Sequence, residues 1–502
     1  MIRKYTAPKY LAVILPVVAW LAALNCTFFA DGMPYYWIIV GAVPAILVLS
    51  YLIFDSGLFL YSILFFIPLS VRTNLPGGAT ISIPSEALAV IMLCYFLAKA
   101  HRLRIPDKKI LSHPVTLLLG IQILWLIVSS GLSSLPLVAF KRSFIIILYI
   151  VVFYWLFLST FDKPGNIFKF YLFFAAGLVI PILNGFIRHT KYNFTHESSY
   201  NMPKPFFSDH TLYGATLAFI IPFLFFIFLI PNDYNRSLKQ KTFYGILLVL
   251  CLVAEFFAYS RAAWLSLLIT PFFLLLFRFR VRLIPMLAGV IVVFTILFLN
   301  YPLITEYMRR NEAKGDVGSL AEHVESISNL QTDISNRERI NRWKCAIRMF
   351  MDKPVTGFGP GTYQFNYYAY ENRNEMTWAS TFHGNKGHAH SEYLGALCET
   401  GFPGFLIFVS TLVMILYTAL KIIYTTRDKK LRNLTLAVIL CLITFYFHGF
   451  FNGFLDNDKI AALFYGSLAA ITALDVYFFR EGTKDSGTGP AEETDTAFIK
   501  IP

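Results

Sequence analysis

Apolar runs long enough to cross a membrane recur along this chain from one end to the other. A helix needs about 20 residues to cross a hydrocarbon core about 30 Å thick. Only helices and closed barrels satisfy their backbone in lipid, and runs of this length indicate helices. The sequence therefore predicts an all-α fold, a polytopic transmembrane helical bundle of about 12–14 spans. The candidate spans lie near residues 10–30, 35–53, 57–70 (a short run), 85–100, 113–131, 137–160, 166–187, 210–230, 243–259, 262–277, 283–301, 403–424, 431–449 and 459–479.

Composition and charge support this class and give the spans an orientation. The 502 residues are 56% hydrophobic and only 15% charged, which is too apolar for a soluble domain. If the N-terminus is cytoplasmic, the basic loops 99–109, 236–241, 278–282 and 427–432 all fall inside, as the positive-inside rule requires. Most of the net charge of +13 is then an orientation signal, and we expect no nucleic-acid partner.

The order of apolar and polar segments divides the chain into four parts. Residues 1–301 are predicted to form N-terminal transmembrane helices, and 302–402 a large loop on the outer side containing short helices. Residues 403–480 form C-terminal transmembrane helices. Residues 481–502 are too polar to bury a core, so they are predicted to form a disordered cytoplasmic tail. The first apolar run lacks a convincing cleavage site and is expected to remain as an anchor.

The large loop carries two local patterns. Ile340, Trp343, Ile347 and Phe350 recur at helical spacing and predict an amphipathic helix that lies on the membrane or on the bundle. The segment 357–361 reads Gly-Phe-Gly-Pro-Gly, which favours a tight turn over a phosphate-binding loop. The aromatic residues that follow it can stack on sugars or simply collect at a membrane interface. They are Tyr363, Phe365, Tyr367, Tyr368, Tyr370, Trp378 and Phe382.

Cysteine usage predicts no disulfide framework. Cys26, Cys94, Cys251 and Cys441 lie in apolar runs, and only Cys345 and Cys398 lie near the large loop. The sequence does not decide whether Cys345 and Cys398 form a disulfide.

Basic residues on the predicted outer side need a physical reason, because the orientation rule disfavours them there. The segment 259–265 has almost no polar loop, so Arg261 is held at the membrane surface. A lipid diphosphate would satisfy its planar fork of donors, whereas a salt bridge to Glu255 or Asp456 is the structural alternative. The other outer basic residues that can contact a diphosphate or an acceptor are Lys141, Arg142 and Arg188.

His388 and His390 form an ionisable pair at the end of the large loop, where imidazole can handle protons or ligand instead of capping a helix. If Ser391 opens a helix, Glu392 and Glu399 point away from His390. An orienting acid would then come from another segment, with Asp209, Glu255 and Asp456 as candidates. His210, beside Asp209, opens the next span and can either serve a substrate or snorkel to the interface.

Two short motifs at these positions resemble those of the O-antigen ligase and polymerase superfamily, which are bacterial lipid-linked oligosaccharide glycosyltransferases. One motif is His390-Ser391, nine residues, Gly401, two residues and Gly404. The other is Arg261, three residues and Leu265. The architecture is similar over most of the chain, while residue-level matching is confined to about 200–265 and 340–405.

This resemblance implies a fold, a site and a reaction. It implies transfer of a glycan from undecaprenyl diphosphate to an acceptor such as lipid A core, at the periplasmic face of the bacterial inner membrane. It implies no cofactor and no metal, and the essential residues fall on Arg261 and His390. Arg261 would neutralise the diphosphate leaving group, and His390 would deprotonate or orient the acceptor hydroxyl, with inversion at the anomeric carbon.

The short motifs do not separate the possible acceptors. A ligase, a polysaccharide polymerase and a protein O-oligosaccharyltransferase all remain open, with the histidine motif favouring the ligase. A polysaccharide transporter or flippase is the alternative from another class, although ionisable residues gather at one face here instead of at the midplane.

Overall fold

A computed structural model of the chain describes residues 61, 63–74, 80–99, 108–229, 238–300, 334–372 and 387–480. Within these ranges the protein is an all-α polytopic bundle, as predicted. The predicted spans 10–30 and 35–53, most of 57–70, the tail and the residues Trp378 and Phe382 lie outside the described ranges.

The bundle is built from long helices joined by short connections. The first half contains the hairpin strands β1 (Val71–Asn74) and β2 (Thr80–Ile83), then α1 (Ser85–Lys99), α2 (Lys108–Leu111), α3 (Pro114–Gly131), α4 (Pro136–Tyr149, continuing as a π-helix through Ile150–Leu156 and then as Phe157–Thr160), α5 (Pro164–Thr190), α6 (His196–Ser199), α7 (His210–Leu229), α8 (Leu238–Phe257), α9 (Arg261–Arg278) and α10 (Leu283–Leu299). The second half contains α11 (Ile334–Asp352), α12 (Tyr363–Asn366) with a 3-10 turn at Tyr367–Tyr370, α13 (Glu392–Thr425), α14 (Lys429–His448) and α15 (Asp458–Ala473, continuing as a π-helix through Leu474–Phe479).

Of the described helices, nine are long and apolar enough to cross a membrane. They are α3, α4, α5, α7, α8, α9, α13, α14 and α15, and each coincides with a predicted span. The apolar helices α1 and α10 are shorter. Proline opens three of these helices, at Pro114, Pro136 and Pro164, where its missing N–H costs no hydrogen bond. The chain is thus a multi-pass membrane protein.

Helix α13 contains a sharp bend close to the predicted boundary at residue 402. Gly401 has a φ of 68°, outside the helical region, and Pro403 follows it. A Cβ at Gly401 would lie 2.1 Å from the Val355 carbonyl oxygen, so only glycine fits this approach. The bend separates a first part, which starts beside His390, from the long part within the bundle.

The small β-hairpin at residues 71–83, which the sequence did not predict, is fixed to α15 by a buried polar cluster. Asp458 accepts hydrogen bonds from Ser70 and Ser85 on either side of the hairpin. Lys459 Nζ donates to Ser70 Oγ over 2.8 Å and lies 3.4 Å from Asp458 Oδ1. Both charged side chains are almost fully buried. They are paired and hydrogen-bonded, as buried charges must be.

The helix ends define two faces of the bundle. Helices α3, α5, α8 and α14 end where α4, α7, α9, α13 and α15 begin, at the end where His390 lies; we call this the His390 end. At the opposite end, Tyr424 Oη donates to the Val281 carbonyl over 2.8 Å. This bond joins the basic loops 278–282 and 427–432, so both lie opposite His390, as the predicted orientation requires.

Residues 334–398 bury a second, smaller core at the His390 end. Its buried members are Cys345, Ala346, Met349, Phe358, Tyr363, Tyr367, Ala389 and Cys398. The amphipathic helix α11 exists as predicted, but its packed face is not the predicted one. Cys345 and Met349 are buried, whereas Ile347 is 47% exposed. The packed face admits Arg342 because Glu338 pairs with its guanidinium over 2.8 Å.

Candidate active site at the His390 end

The backbone of His390 is held in an uncommon conformation. Its φ of 49° lies in the left-handed region, which a residue with a Cβ seldom adopts. Its N–H donates to His388 Nδ1 over 3.1 Å, and its carbonyl accepts from Trp343 Nε1 over 3.0 Å. Ser391 then caps α13 through a bond from the Leu394 N–H, as expected from the sequence. These contacts fix the backbone of His390 and thereby the position of its Cβ, from which the imidazole extends.

The His390 side chain is partly buried, and its imidazole is neutral near pH 7. Its pKa is lowered from the ordinary value to about 2, and burial is the largest cause. The neighbouring His388, Arg342 and Arg339 lower the pKa further, whereas a hydrogen bond with Asn452 raises it. The Nδ1 atom is buried and has no hydrogen-bond partner among the described residues. A neutral ring with an unpaired nitrogen can accept a proton from a bound hydroxyl group.

Asn452 and His448, whose side chains contact each other, are two further polar residues at the His390 end. Asn452 lies in the turn after α14, and its Nδ2 lies 3.1 Å from His448 Nε2. The Ala262 backbone also acts on His448, although the buried Nδ1 of that ring has no hydrogen-bond partner among the described residues. Because Ala262 is the neighbour of Arg261, His448 lies near the start of α9.

Helix α11 supplies two guanidinium groups to the same place. Arg342 lies over the Tyr367 ring at 5.1 Å and donates to the His388 carbonyl over 3.4 Å. Arg339, one turn earlier, acts electrostatically on both His390 and His448. Positive charge from the loop helix therefore surrounds the neutral imidazole.

His388 connects His390 to a second charged pair. The two imidazole rings lie 4.4 Å apart. The pKa of His388 is lowered mainly by burial, while Asp456 raises it and Arg342 lowers it further. Asp456 itself lies 3.8 Å from Arg142, with 36% and 24% of their side chains exposed. A partly exposed carboxylate and guanidinium thus lie near His388.

The Gly-Phe-Gly-Pro-Gly segment forms the predicted tight turn and packs against Arg142. Gly357, Gly359 and Gly361 all have positive φ, between 66° and 106°. The Glu399 carboxylate accepts from the Gly361 N–H over 2.8 Å and from the Tyr363 N–H over 3.0 Å. A Cβ at Gly361 would lie 3.0 Å from Arg142, so the turn packs directly on that side chain. The turn is structural and positions Arg142.

The carboxylates of α13 point away from His390, as predicted. Glu399 binds the glycine turn, and Glu392 accepts from the backbone N–H groups of Phe454 and Leu455. The amide of Asn452, and no carboxylate, is among the groups that raise the pKa of His390. Asp209 and Asp456 act on His388 instead.

Arg261 begins α9 at the His390 end, after the tight hairpin that follows α8. The Trp264 Nε1 donates to the Glu255 carbonyl over 3.0 Å and closes this hairpin. Neither carboxylate oxygen of Glu255 has a hydrogen-bond partner among the described residues, and Asp456 pairs with Arg142. Of the two acids considered as internal partners of Arg261, Glu255 therefore forms no salt bridge with it, and Asp456 pairs with Arg142.

The remaining predicted site residues lie at the same end in different settings. Asp209 caps α7, accepting from the Thr211 and Leu212 N–H groups over 2.9 Å. Burial acts to raise its pKa, but these bonds and the neighbouring His210 leave it lowered overall. The His210 ring meets Tyr200 at 4.4 Å, Arg188 donates to the Lys204 carbonyl, and Lys141 is exposed. Within the described ranges, no hydrogen bond or ion pair joins Arg188 or Lys141 to His390.

Sequence reasoning missed Arg339, His448 and Asn452 as members of this site. Arg339 belonged to the solvated face predicted for α11, and Asn452 lies in a polar turn without periodic pattern. Cys345 and Cys398 share the second core as free thiols, so the open disulfide is not formed. Among the described residues, no group of His, Cys, Asp and Glu could hold a metal ion.

The fold and the site define a multi-pass membrane protein with an imidazole and several guanidinium groups at one end of a helical bundle. Residues 246–409 match the model of the O-antigen ligase family (Wzy_C), which confirms the resemblance to that superfamily. The matched segment begins in α8, contains Arg261, Arg339 and His390, and ends in α13. No curated protein matches the chain.

Proposed function

We propose that this protein is an inverting glycosyltransferase of the O-antigen ligase type. It transfers a glycan from undecaprenyl diphosphate to an acceptor such as lipid A core at the periplasmic face of the inner membrane. The observation that carries the proposal is the neutral, partly buried His390, inside the family-matched segment. Its Nδ1 has no hydrogen-bond partner among the described residues, and Arg339 and Arg342 act on it electrostatically.

The donor fits the positively charged side of the site. Arg339 acts electrostatically on both His390 and His448, and Arg261 begins α9, whose Ala262 backbone acts on His448. Guanidinium groups bind phosphate oxygens in a bidentate manner and keep their charge at all relevant pH values. The helix N-terminus at Arg261 adds a partial positive charge. Both features favour a diphosphate leaving group.

The acceptor fits the opposite side. Asp456 and Arg142 are partly exposed beside His388, and together they offer an acceptor and a donor of hydrogen bonds to sugar hydroxyls. A sugar held there meets His390 from the side away from the diphosphate.

The reaction then needs one proton transfer and one displacement. The acceptor hydroxyl gives its proton to the His390 imidazole as its oxygen attacks the anomeric carbon. The bond from that carbon to the diphosphate oxygen breaks, and the diphosphate leaves with the electron pair. Arg261 and Arg339 stabilise the charge that develops on it. Attack opposite the leaving group inverts the anomeric centre.

Transfer in proteoliposomes from a purified lipid-linked donor to a purified acceptor tests this proposal. His390→Ala should lower kcat by at least about 100-fold, since general base catalysis contributes about 10²–10⁴-fold. Arg261→Ala and Arg339→Ala should each lower kcat about 100-fold or more, as loss of one charge-stabilising donor does. Arg337→Ala, on the same helix at an exposed position, is the matched control and should retain activity. Undiminished transfer by both His390→Ala and Arg261→Ala would refute the site.

Surface polysaccharide after deletion of the gene separates the acceptors. Uncapped core with carrier-linked polymer accumulating indicates ligation, whereas products with a single repeat indicate polymerisation. Intact lipopolysaccharide with lost glycoprotein indicates transfer to protein. Movement of the lipid-linked glycan across the vesicle without product would favour a transporter.

A further inference from the structure

We propose that Tyr259 is a positioning residue for Arg261. Its hydroxyl group attaches the tight connection between α8 and α9 to the loop 191–209, and His189 adds a second attachment beside it. The backbone from which Arg261 extends is thereby fixed before the donor diphosphate arrives. This inference deepens the proposed function and rests on it.

The connection between α8 and α9 is short, and its backbone is unusual. It consists of residues 258–260, and Tyr259 has a φ of 50°, in the left-handed region that a residue with a Cβ seldom adopts. Such a conformation persists only where the surrounding structure holds it. Because Arg261 begins α9 two residues later, a change at Tyr259 changes where the Arg261 side chain starts.

The loop 191–209 contacts this connection through Phe194. The Tyr259 hydroxyl donates to the Phe194 carbonyl over 3.2 Å. Phe194 and its neighbour Asn193 have φ values of 56° and 49°, so the loop backbone is also left-handed at the contact. Of the five non-glycine residues with positive φ in the described ranges, three lie here and a fourth is His390. The uncommon backbone conformations are thus concentrated at this contact and at the candidate base.

His189 attaches the end of α8 to the same loop. Its Nε2 lies 3.4 Å from the Phe257 carbonyl oxygen, and because a carbonyl only accepts, this nitrogen is the donor. Its Nδ1 lies 2.8 Å from Ser198 Oγ in the loop. The His189 side chain is fully buried, and its ring stacks on the Phe194 ring at 5.0 Å. The connection is therefore attached to the loop at both Phe257 and Tyr259.

Packing on the other sides leaves the connection and the loop little room to move. A Cβ at Gly214 of α7 would lie 2.7 Å from the Ser260 Cβ, so α7 packs closely against the connection. Phe206 and Phe207 of the loop are buried, and the Lys459 ammonium lies over the Phe207 ring at 5.2 Å. The connection is thus held between α7 and a packed loop.

The proposed reaction gives this attachment a purpose. A guanidinium stabilises the charge on a leaving group best when it is in place before that charge develops. The arginine side chain is long and flexible, so the backbone that carries it has to be fixed. A misplacement of about 1 Å at a reacting centre can lower the rate about 100-fold. Tyr259 is suited to this role because it lies two residues from Arg261 while its hydroxyl bonds to the loop backbone.

Tyr259→Phe, which removes only the hydroxyl group, tests the inference, and Tyr424→Phe is the matched control. Both hydroxyls donate to a backbone carbonyl in a connecting segment, and Tyr424 does so at the end opposite His390. Tyr259→Phe should lower kcat for transfer about tenfold with little change in KM, whereas Tyr424→Phe should retain kcat. Thermal unfolding in detergent should show a similar small loss in both variants. A native kcat for Tyr259→Phe, or an equal loss of kcat in Tyr424→Phe, would overturn the inference.

A double-mutant cycle shows whether Tyr259 acts through Arg261. In an Arg261→Ala background, Tyr259→Phe should change the residual kcat by less than about twofold, because the side chain that it positions is gone. A merely structural Tyr259 would lower kcat by the same factor in both backgrounds, and this result would also overturn the inference. Undiminished transfer by Arg261→Ala would instead refute the proposed function, so the two failures are distinguishable.

His189 provides a second pair of variants in case Tyr259→Phe fails to fold. His189→Gln keeps an N–H donor for the Phe257 carbonyl, whereas His189→Leu removes it. The kcat of His189→Leu should be at least about fivefold below that of His189→Gln, and this difference should vanish in the Arg261→Ala background. Equal kcat values of the pair in the native background would contradict the inference.

Discussion

At the scale of single residues, the neutral state of His390 has a consequence for stability. The unfolded chain binds a proton at this side chain below a pKa of about 6.5, whereas the folded protein binds it only near 2. Between these values the unfolded state binds more protons. The contribution of His390 to stability is therefore complete above pH 6.5 and is lost progressively as the pH falls towards 2.

His390→Gln tests this pH dependence. When the pH falls from 7 to 5, the unfolding free energy of the native protein should decrease by about 2 kcal/mol more than that of the glutamine variant. Thermal unfolding in detergent at the two pH values measures the difference. An equal loss in both proteins would show that His390 binds its proton in the folded state as readily as in the unfolded chain.

Glu399 contributes to stability through the backbone of the glycine turn. Glu399→Ala would leave the N–H groups of Gly361 and Tyr363 without their acceptor. We expect a loss of about 1–3 kcal/mol, with a smaller loss for Glu399→Gln, which keeps one oxygen. Thermal unfolding of the two variants checks this order, and a Glu399→Gln protein less stable than Glu399→Ala would contradict it.

At the scale of elements, the glycine turn couples α3, α13 and the loop helix. Ser133 Oγ donates to the Phe358 carbonyl over 2.6 Å, and the Gly359 N–H donates to the Glu399 carbonyl over 2.8 Å. A change in this turn is therefore expected to move Arg142 and the first part of α13 together.

Gly357→Ala and Gly395→Ala form a matched pair for this coupling. A Cβ at Gly357 would lie 2.4 Å from the Glu399 backbone, at a φ of 66°, whereas a Cβ at Gly395 meets nothing within 4 Å. Gly357→Ala should cost about 1–3 kcal/mol or more and lower transfer activity. Gly395→Ala should be neutral or stabilise α13 by about 0.5–1 kcal/mol. Similar melting temperatures for the two variants would contradict a strained turn.

The elements differ in how far the sequence predicts them. The nine long helices followed from the length of their apolar runs, and the cap at Ser391 followed from local chemistry. The hairpin at 71–83 depends on a pairing with Asp458, far along the chain, and has no local signal of comparable strength. The effect of Asn452 on the pKa of His390 likewise involves segments 62 positions apart, and a single amide in a turn has no periodic pattern.

Candidate site residues were predictable where a residue type was unexpected in its surroundings. Arg261 stood out because the positive-inside rule disfavours basic residues on the outer side, and His390 because an ionisable pair at the end of a large loop can handle protons or ligand. Arg339 did not stand out, because it is one of several arginines on a polar helix. Only the packing of α11 against α13 separates Arg339 from Arg337.

At the scale of the whole molecule, the two ends of the bundle are expected to face different compartments. The loops 278–282 and 427–432 are joined by the bond from Tyr424 to Val281, opposite His390. Their basic residues predict that this end is cytoplasmic.

Labelling with a membrane-impermeant thiol reagent tests this orientation. In intact spheroplasts Lys191→Cys, which is exposed at the His390 end, should react, and Arg427→Cys should react only after permeabilisation. The native protein serves as the control for its own cysteines. The reverse pattern would place the candidate site in the cytoplasm and end the proposed function.

The second core is expected to stay in place when a large substrate binds. Separating its described residues from one another would expose buried apolar surface, including the rings of Tyr363 and Tyr367, which stack at 5.3 Å, and exposing such surface to water is unfavourable. If the proposed function holds, a large substrate would therefore have to reach His390 without displacing this core.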